Sequence, residues 1–257
     1  MSNRMIIAAD IGNSRTKIFA AGAARVVEYN KENTEKNIEK ILKEICRLNR
    51  FSAVPILAFS SVNPPMLDLF SAVATSLEIE MFDALTSIPN FPLISFDNIT
   101  GMGSDRIFGL IGARTRALPP FITTDCGTAV TINAVDKAGK CIGGVIFIGF
   151  QTQLAALTEK TANLHTVPLF WEEFSPGINT EQAIRRGIVH SIIGGTVHII
   201  KSIARKTGEG VDIPVFLTGG GAEFMREDMR RRFNVTECPN LVCEGIVSVA
   251  EHCFASA

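Results

Sequence analysis

Short apolar runs and amphipathic stretches alternate along this chain. In the stretch from Thr34 to Asn49 the apolar side chains recur at the three- and four-residue spacing of one helix face: Ile38, Ile41, Leu42, Ile45 and Leu48. Thr34 is a possible N-cap of that helix. The predicted strands of the first half are 4–9, 17–21, 25–29 and 54–60, and a second helix begins at Pro64-Pro65.

The second half of the chain repeats this plan. A looser segment, 87–100, precedes a helix that follows Gly101–Arg106. Beyond it the pattern predicts strands at 121–125, 129–135, 140–147 and 214–218, helices at 151–163 and 180–206, and a last helix after Gly219-Gly220-Gly221. Strands followed by helices, twice, predict an α/β fold with a mixed sheet in each half. Pro119-Pro120 marks the predicted boundary, which gives domains 1–118 and 119–257.

One loop motif occurs in both halves. Residues 10–16 and residues 125–131 both read Asp-x-Gly-x-x-x-Thr, and each follows an apolar strand. A single Asp-x-Gly is most often an ordinary turn, but recurrence with the same Thr spacing favours a duplicated domain. Two such units indicate lobes that close on a nucleotide, and phosphoryl transfer is the leading hypothesis.

The residue types of these loops fit phosphate binding. The Gly lets the backbone turn tightly, and exposed N–H groups in such a turn bind phosphate oxygens. Neutral donors are Asn13, Ser14, Thr16, Thr128 and Thr131. Lys17 either adds charge or only lies along a strand. An Asp beside phosphates requires an intervening cation, so Asp10 and Asp125 are candidate cation ligands.

Asp105 stands at the predicted start of a helix. It is either an N-cap or a base that takes the proton of an attacking hydroxyl, and the two roles are compatible. Arg106 suits carboxylate recognition, with a surface ion pair as the alternative. The glycines at 219–221 permit close approach to an adenine or ribose, or form a plain loop. Gly187, Gly194 and Gly195 permit close helix packing, or they kink or break the helix.

Composition excludes several classes of protein. The net charge of −1 gives no basic footprint for nucleic acid. Six cysteines without a Cys-x-x-Cys pair indicate a reducing cytoplasm, and zinc-ligand spacing is absent. A signal peptide and an apolar run near 18 residues are both absent from the sequence, so neither export nor a membrane span is expected. The P-loop and protein-kinase signatures are also absent.

Taken in order, the motifs resemble those of type III pantothenate kinases. The matching segments span residues 10 to 220: Asp10–Ser14, Ser60–Pro64, Gly103–Arg106, Asp125–Ala129, Gly143–Ile146, Thr161–Leu164, Asn179-Thr180 and Thr218–Gly220. That family belongs to the acetate and sugar kinase/actin superfamily. The resemblance therefore implies two tandem ribonuclease-H-like domains of the actin-like ATPase type, with the nucleotide site in the cleft between them.

The resemblance also implies an activity, its cofactors and its partners. The activity is ATP-dependent phosphorylation of pantothenate to 4'-phosphopantothenate, the first step of coenzyme A biosynthesis, with Mg2+ and a monovalent cation (K+ or NH4+). The partners are the substrate pantothenate and a second subunit in a cytoplasmic homodimer, with no nucleic acid and no membrane.

Site residues follow from the resemblance by position. Asp105 is the general base, and Asp125 and Asp10 are the metal ligands. Pantothenate contacts Phe96, Gly103, Ser104, Asp105, Arg106 and Thr180. ATP contacts Asp10, Gly12, Asn13, Ser14, Arg15, Thr16, Lys17, Gly127, Thr128, Gly219 and Gly220.

Four residues depart from the family pattern. Phe96 replaces a Tyr of the pantothenate pocket, Ile99 and Ile148 replace prolines, and Ser14 replaces a Thr while keeping its hydroxyl. These changes concern pocket shape more than chemistry. Phe96 and Ile148 leave open a kinase for another small hydroxy compound. A non-catalytic regulator on the same fold is a second alternative, because some relatives of the family are described as accessory factors for transcription.

Overall fold

The computed structural model describes residues 4–30, 32–48, 55–90, 93–208, 210 and 212–255. The chain forms two compact units. Unit 1 comprises Met1–Ile94, Thr100–Arg116 and Asn240–Ala257, and unit 2 comprises Ser95–Ile99 and Ala117–Pro239. The chain thus passes into unit 2 close to the predicted boundary, but its C-terminal segment belongs to unit 1. In that element the structure differs from the predicted division.

Unit 1 is built on a five-stranded mixed sheet of order β3-β2-β1-β4-β5. Its strands are β1 (Ile6–Ile11), β2 (Arg15–Ala20), β3 (Ala23–Glu28), β4 (Ile56–Ser61) and β5 (Glu80–Asp83). The first three strands pair antiparallel, whereas β4 lies parallel to β1 and β5 parallel to β4. The carboxyl ends of β1 and β4 therefore lie side by side, at Asp10 and Ser60.

Alternation along the strands gives the sheet of unit 1 two buried faces. On one face Ile7, Ala9 and Ile18 form a core with α1 (Thr34–Leu48) and α2 (Pro64–Ser76). The other face packs against α3 (Ser104–Arg114) and α7 (Leu241–Ala255). A short 3-10 helix, Leu85–Asn90, follows β5.

Helices α3 and α7 approach each other until their backbones touch. A Cβ at Gly112 would collide with the carbonyl oxygen of Leu241, and a Cβ at Gly245 with that of Phe108. Side chains larger than hydrogen at these two positions would push the helices apart. The C-terminal helix therefore fixes the helix that carries Asp105, although the two are far apart in sequence.

Unit 2 contains a second five-stranded sheet, of order β10-β9-β6-β7-β8. Its strands are β6 (Phe121–Cys126), β7 (Ala129–Val135), β8 (Cys141–Ile148), β9 (Val215–Thr218) and β10 (Val235–Glu237). As in unit 1, an antiparallel meander is extended by parallel strands. The helices are α4 (Phe150–Glu159), α5 (Thr180–Lys206) and α6 (Arg226–Arg230), with a 3-10 helix at Gly220–Phe224.

Helix α5 is the long core helix of unit 2. Ile184, Ile188 and Ile192 pack with Ile132 and Leu217 of the sheet. Within the described residues, α5 alone is long and apolar enough to pass a length-and-composition test for a membrane span. No such helix was expected from the sequence. Mostly buried core helices pass the same test; in α5 one face packs on the sheet, and 39% of the apolar window is buried.

The predicted order of strands and helices is confirmed, with small differences at the ends. Among the described elements, the predictions missed β5, β10, α7 and the 3-10 helix Leu85–Asn90. Helix α5 runs unbroken through Gly187, Gly194 and Gly195, so the helix break that was one of the alternatives at these glycines does not occur. A Cβ at any of the three would meet open space in the described chain, and their close packing stays a prediction. Thr34 is the first residue of α1, and its hydroxyl bonds to the backbone of Asn30.

Candidate active site

The first loop is a tight two-residue turn between β1 and β2. The Gly12 amide donates to the carbonyl oxygen of Arg15 at 3.1 Å, which leaves Asn13 and Ser14 at the exposed tip. A Cβ on Gly12 would lie 3.0 Å from that same oxygen, so glycine permits the closure. A turn with small exposed residues gives an anion access to the backbone N–H groups.

Inside this turn lies a hydrogen-bonded group that the sequence analysis missed. The Tyr29 hydroxyl donates to the carbonyl oxygen of Gly12 at 2.9 Å, and Thr16 Oγ1 lies 2.6 Å from the same hydroxyl. Since the single phenolic proton goes to Gly12, Thr16 is the donor to Tyr29. Thr16 is fully buried. In this structure its hydroxyl faces the interior, whereas the sequence analysis expected it to contact phosphate.

Asp10 is the penultimate residue of β1 and lies on the face of the sheet opposite to Thr16. It pairs with Lys17 across the hairpin and with Ser60 of the parallel neighbour β4. The Ser60 hydroxyl donates to Ser104 Oγ at 2.7 Å, and both serines are buried. This bond ties the first turn of α3 to the end of β4. The loop 10–17 and the start of α3 are therefore held at the same edge of the sheet in unit 1.

Asp105 is the second residue of α3, and Gly103 is the N-cap. The N-cap alternative for Asp105 is therefore wrong. Its Oδ1 accepts the amide of Arg106 at 2.8 Å, and a Cβ on Gly103 would lie 2.6 Å from that oxygen. Glycine at 103 thus leaves room for the carboxylate in the first turn of α3.

The second loop turns between β6 and β7 with one residue fewer at its tip. The Gly127 amide donates to Ala129 O at 2.9 Å, so only Thr128 lies between the two. As a result Asp125 pairs with Thr131 in β7, and Thr218 of β9 pairs with Asp125 on its other side. Paired residues share a sheet face, so a carboxylate and two hydroxyls lie together there. Oxygen donors of this kind suit a hard cation.

Three glycines allow neighbouring segments to approach the second loop closely. A Cβ on Gly219 would collide with Asp125 Oδ1 and with the backbone of Cys126, and one on Gly149 would collide with Gly127 O. At Gly221 the obstacle would be the ring of Phe150. Gly219 also has φ of +88°, a left-handed conformation that glycine adopts without strain. The predicted residues Asp125, Gly127, Thr128 and Gly219 therefore converge in unit 2.

The predicted pantothenate residues fall in both units. Gly103 to Arg106 belong to unit 1, whereas Phe96 and Thr180 belong to unit 2. Phe96 is half-buried in a segment that pairs with the start of β8 through Ser95. Thr180 begins α5 and is exposed, directly after the N-cap Asn179, whose side chain accepts the Gln182 amide at 2.9 Å.

A strap of irregular structure, residues 165–178, precedes Thr180 and is fastened to α5. Glu172 bonds Arg185 Nε at 2.9 Å and Arg186 at 3.0 Å, and Arg186 also donates to Pro176 O at 2.8 Å. These bonds from Arg186 and Arg185 lower the pKa of Glu172 from 4.5 to about 2. Phe170 lies over the Arg185 guanidinium. The strap thereby holds the entry to α5 in one position.

The candidate metal ligands in the described part of the chain are scattered oxygen donors. The described part of the chain contains no group of three or more His, Cys, Asp or Glu side chains that could hold a metal ion. A cation at Asp125 would therefore need hydroxyl, carbonyl, water or phosphate oxygens as its other ligands. Burial raises the pKa of the neighbouring Cys126 thiol well above its usual value, which keeps it protonated.

Three residues that contact the two loops were not predicted from the sequence, namely Tyr29, Asn63 and Gly149. Tyr29 is the single tyrosine of the chain. Asn63 caps α2 and also reaches Gly12 O at 3.4 Å. The rarity of tyrosine and the position of Asn63 in the motif Ser60–Pro64 were weak signals in the sequence. The contacts themselves join residues far apart in sequence.

The two five-stranded sheets define the fold, which is similar to that of solved structures of an actin homologue and of a protein described as a sugar kinase. An archaeal actin homologue matches with a TM-score of 0.55 and 11% identity over 96% of this chain and 99% of that one. A Sinorhizobium meliloti protein described as a 2-dehydro-3-deoxygalactonokinase has a TM-score of 0.56 and 13% identity, over 97% of this chain and 99% of that one. A Campylobacter jejuni protein described as a Baf family transcriptional activator has a TM-score of 0.61 and 14% identity, over 97% of this chain and 99% of that one. These likenesses concern the fold alone.

Sequence comparison identifies the family. The family model of type III pantothenate kinase matches residues 6–202. The type III pantothenate kinase of a Polaromonas species is 27% identical over 97% of this chain and 98% of its own. That of Paracidovorax citrulli is 35% identical over 62% of each chain, a little under two thirds of its length. The chain therefore belongs to the type III pantothenate kinase family, and it is a kinase that phosphorylates pantothenate in coenzyme A biosynthesis.

Proposed function

We propose that this chain uses Asp105 as the general base that takes the proton of the pantothenate hydroxyl as it attacks the γ-phosphorus of ATP, and ADP leaves as the bridging P–O bond breaks. The observation that supports this role is the position of Asp105 in the first turn of α3, tied through Ser104 and Ser60 to the edge of the sheet where the loop 10–17 turns. Phosphoryl transfer depends mainly on positioning and charge stabilisation, so a carboxylate at a helix N-terminus suffices as base.

The loop residues are proposed to bind the nucleotide. Exposed N–H groups around Asn13 and Ser14 contact phosphate oxygens, with Arg15, Lys17 and Thr128 adding donors. Gly219 and Gly220 leave room for adenosine. Thr16 is proposed to contribute through the loop, since its hydroxyl is buried.

The oxygen-rich face of unit 2 is the proposed site of the monovalent cation. Asp125 carries the charge, and Thr131 and Thr218 lie on the same face. Mg2+ is proposed to accompany ATP, with Asp10 near its phosphates. When bound, these ions neutralise phosphate charge, while the protein residues fix the position of the phosphate chain.

Pantothenate is proposed to contact Gly103, Ser104 and Arg106 of unit 1 and Phe96 and Thr180 of unit 2. Arg106 suits the pantothenate carboxylate. Because Phe96 lacks a hydroxyl, its contribution would be apolar contact.

A homodimer in the cytoplasm is the proposed state of the protein. Unit 2 exposes apolar side chains on β8 and on the strap, and Ile146, Phe174 and Ile178 are 60%, 66% and 89% exposed. Exposed apolar side chains of this size are typical of protein contacts. Sedimentation should give a dimer that Ile178→Asp converts to monomer, while Leu48→Asp in unit 1 leaves it intact. A monomeric wild type at micromolar concentration would contradict the proposal.

The test of the reaction uses purified protein with ATP, Mg2+, K+ and pantothenate, and detects phosphopantothenate by mass spectrometry. We expect product from the wild type, and a loss of about 10²–10⁴-fold in kcat for folded Asp105→Asn. Loss of product when Na+ replaces K+ would support the cation role of Asp125. A fully active Asp105→Asn would overturn the base assignment, and folded protein that binds ATP without forming product would favour another acceptor or a regulator.

A further inference from the structure

Two side chains of unit 1 donate to the carbonyl group at the start of the first loop, and a third supports one of them. The Tyr29 hydroxyl donates to Gly12 O at 2.9 Å, and Asn63 Nδ2 donates to the same oxygen at 3.4 Å. Thr16 Oγ1, 2.6 Å from the Tyr29 oxygen, completes a chain of donors that ends at Gly12. The three residues come from β2, from the end of the β-meander and from the cap of α2.

Holding this carbonyl also sets the direction of the next amide. A trans peptide is planar, and its C=O and N–H point to opposite sides. With Gly12 O directed toward Tyr29, the N–H of Asn13 is directed away from it, at the exposed tip of the turn. That amide is one of the donors that a phosphate would meet first.

The phenol keeps the proton that it donates to Gly12 O, while its oxygen accepts from Thr16. Burial raises the pKa of Tyr29 above its usual value of 10.0, so the hydroxyl keeps its proton throughout the physiological range. Thr16 is fully buried and therefore depends on Tyr29 rather than on water for its hydrogen bond. Removing the phenolic oxygen would leave Gly12 O with Asn63 alone and Thr16 Oγ1 without its partner.

We propose that Tyr29 is a positioning residue of the nucleotide loop, whose hydroxyl fixes the Gly12–Asn13 peptide so that its N–H faces the phosphates. The inference rests on the proposed role of residues 10–17 in binding ATP. Tyr29 acts through Gly12 and touches neither substrate. Its effect is therefore specific for ligands that carry phosphate, and small for pantothenate and for adenosine.

The test compares Tyr29→Phe with wild type and with Thr115→Val. Thr115 is a matched control because its hydroxyl also donates to a glycine carbonyl, that of Gly112 at 2.7 Å, at the far end of α3. For Tyr29→Phe we expect the Kd and KM for ATP to rise about 3- to 10-fold, as for loss of one neutral hydrogen bond. The Kd for adenosine and the KM for pantothenate should stay within about twofold of wild type, and Thr115→Val should change none of the four.

Several results would overturn the proposal. An unchanged affinity for ATP in Tyr29→Phe would overturn it. An equal loss of affinity for adenosine and for ATP would also overturn it, because it would indicate only a structural role. If Tyr29→Phe does not fold, Asn63→Ser provides the same test, since serine keeps the cap of α2 and removes the second donor to Gly12. Wild type that binds ATP without phosphorylating pantothenate overturns the proposed reaction and leaves this test in force, whereas wild type that binds no ATP overturns both.

Discussion

The two Asp-x-Gly-x-x-x-Thr loops have the same sequence spacing and different structures. In unit 1 the turn contains Asn13 and Ser14, and Thr16 faces the core. In unit 2 the turn contains Thr128 alone, and Thr131 faces the same side as Asp125. Because side chains alternate along a strand, a shift of one residue in register moves the Thr to the opposite face. A repeated motif is therefore not evidence of a repeated role for each of its residues.

The loops also differ in how they are supported. The first is held by side-chain hydroxyl and amide groups from Thr16, Tyr29 and Asn63. The second is held by close approach of bare backbone at Gly149 and Gly219. Substitutions that remove a hydrogen bond should thus perturb the first loop, and substitutions that add side-chain volume should perturb the second.

The largest expected effect is that of volume added to the second loop. Gly219→Ala would place a methyl group against Asp125 and Cys126 at a left-handed φ, and we expect the free energy of unfolding to fall by about 3 kcal/mol. The matched control is Gly22→Ala, which has φ of +79° and open space around it, and should lose only about 1 kcal/mol. Denaturant titration measures both, and equal losses would show that crowding is unimportant.

Next in size is an effect on catalysis in unit 1. Gly103→Ala would place a methyl group 2.6 Å from the present position of Asp105 Oδ1 and displace the carboxylate. We expect kcat to fall about tenfold or more while ATP affinity stays near wild type, since a misplaced catalytic group costs rate. Steady-state kinetics at saturating ATP provide the measurement. A normal kcat would contradict the position proposed for the base.

A pair of substitutions compares the two threonines directly. Thr16→Val removes a buried hydroxyl from its partner Tyr29 and should lower the free energy of unfolding by about 1 kcal/mol. Thr131→Val should change stability by less than about 0.5 kcal/mol and instead raise the K+ concentration needed for half-maximal activity. Thermal unfolding and a K+ titration distinguish them, and the reverse pattern would refute the assignment of faces.

The smallest effect concerns the strap of unit 2 and depends on pH. Arg186 and Arg185 lower the pKa of Glu172 to about 2 in the folded protein, so its ionised form stabilises the fold above pH 4.5 and this contribution is lost as pH falls toward 2. Wild type should therefore be more stable than Glu172→Gln at pH 6, and the difference should shrink below pH 4.5. A difference that is constant with pH would contradict this account.

Local pattern was enough to predict much of the fold. The strands around both loops, helix α1 and helix α5 were predicted because periods of two and of three to four residues are properties of short segments. Helix α7 was missed because it has apolar residues on most sides and so shows no clear period. The reason for glycine at position 245 is seen only in the close packing of α7 against α3. The C-terminal helix belongs to unit 1 because it completes a face of the sheet that the N-terminal residues leave uncovered.

The candidate site was predicted less evenly. The structure brings Asp125, Gly127, Thr128 and Gly219 together, and it places Asp10 and Asp105 at one edge of the unit 1 sheet through Ser60 and Ser104. The assigned roles of these residues stay predictions. The support from Tyr29 could not be predicted, because a hydrogen bond across 17 residues leaves no periodic trace in the sequence.

By itself the sequence determined the two loops, the glycines that allow them to turn, the family, and Asp105 at the beginning of a helix. The tertiary structure decided which face each threonine occupies, which side chains hold the first loop, and where the C-terminal helix packs. The physical reason is that turns and helix starts depend on neighbouring residues, whereas register and burial depend on strand pairing and core packing between distant segments.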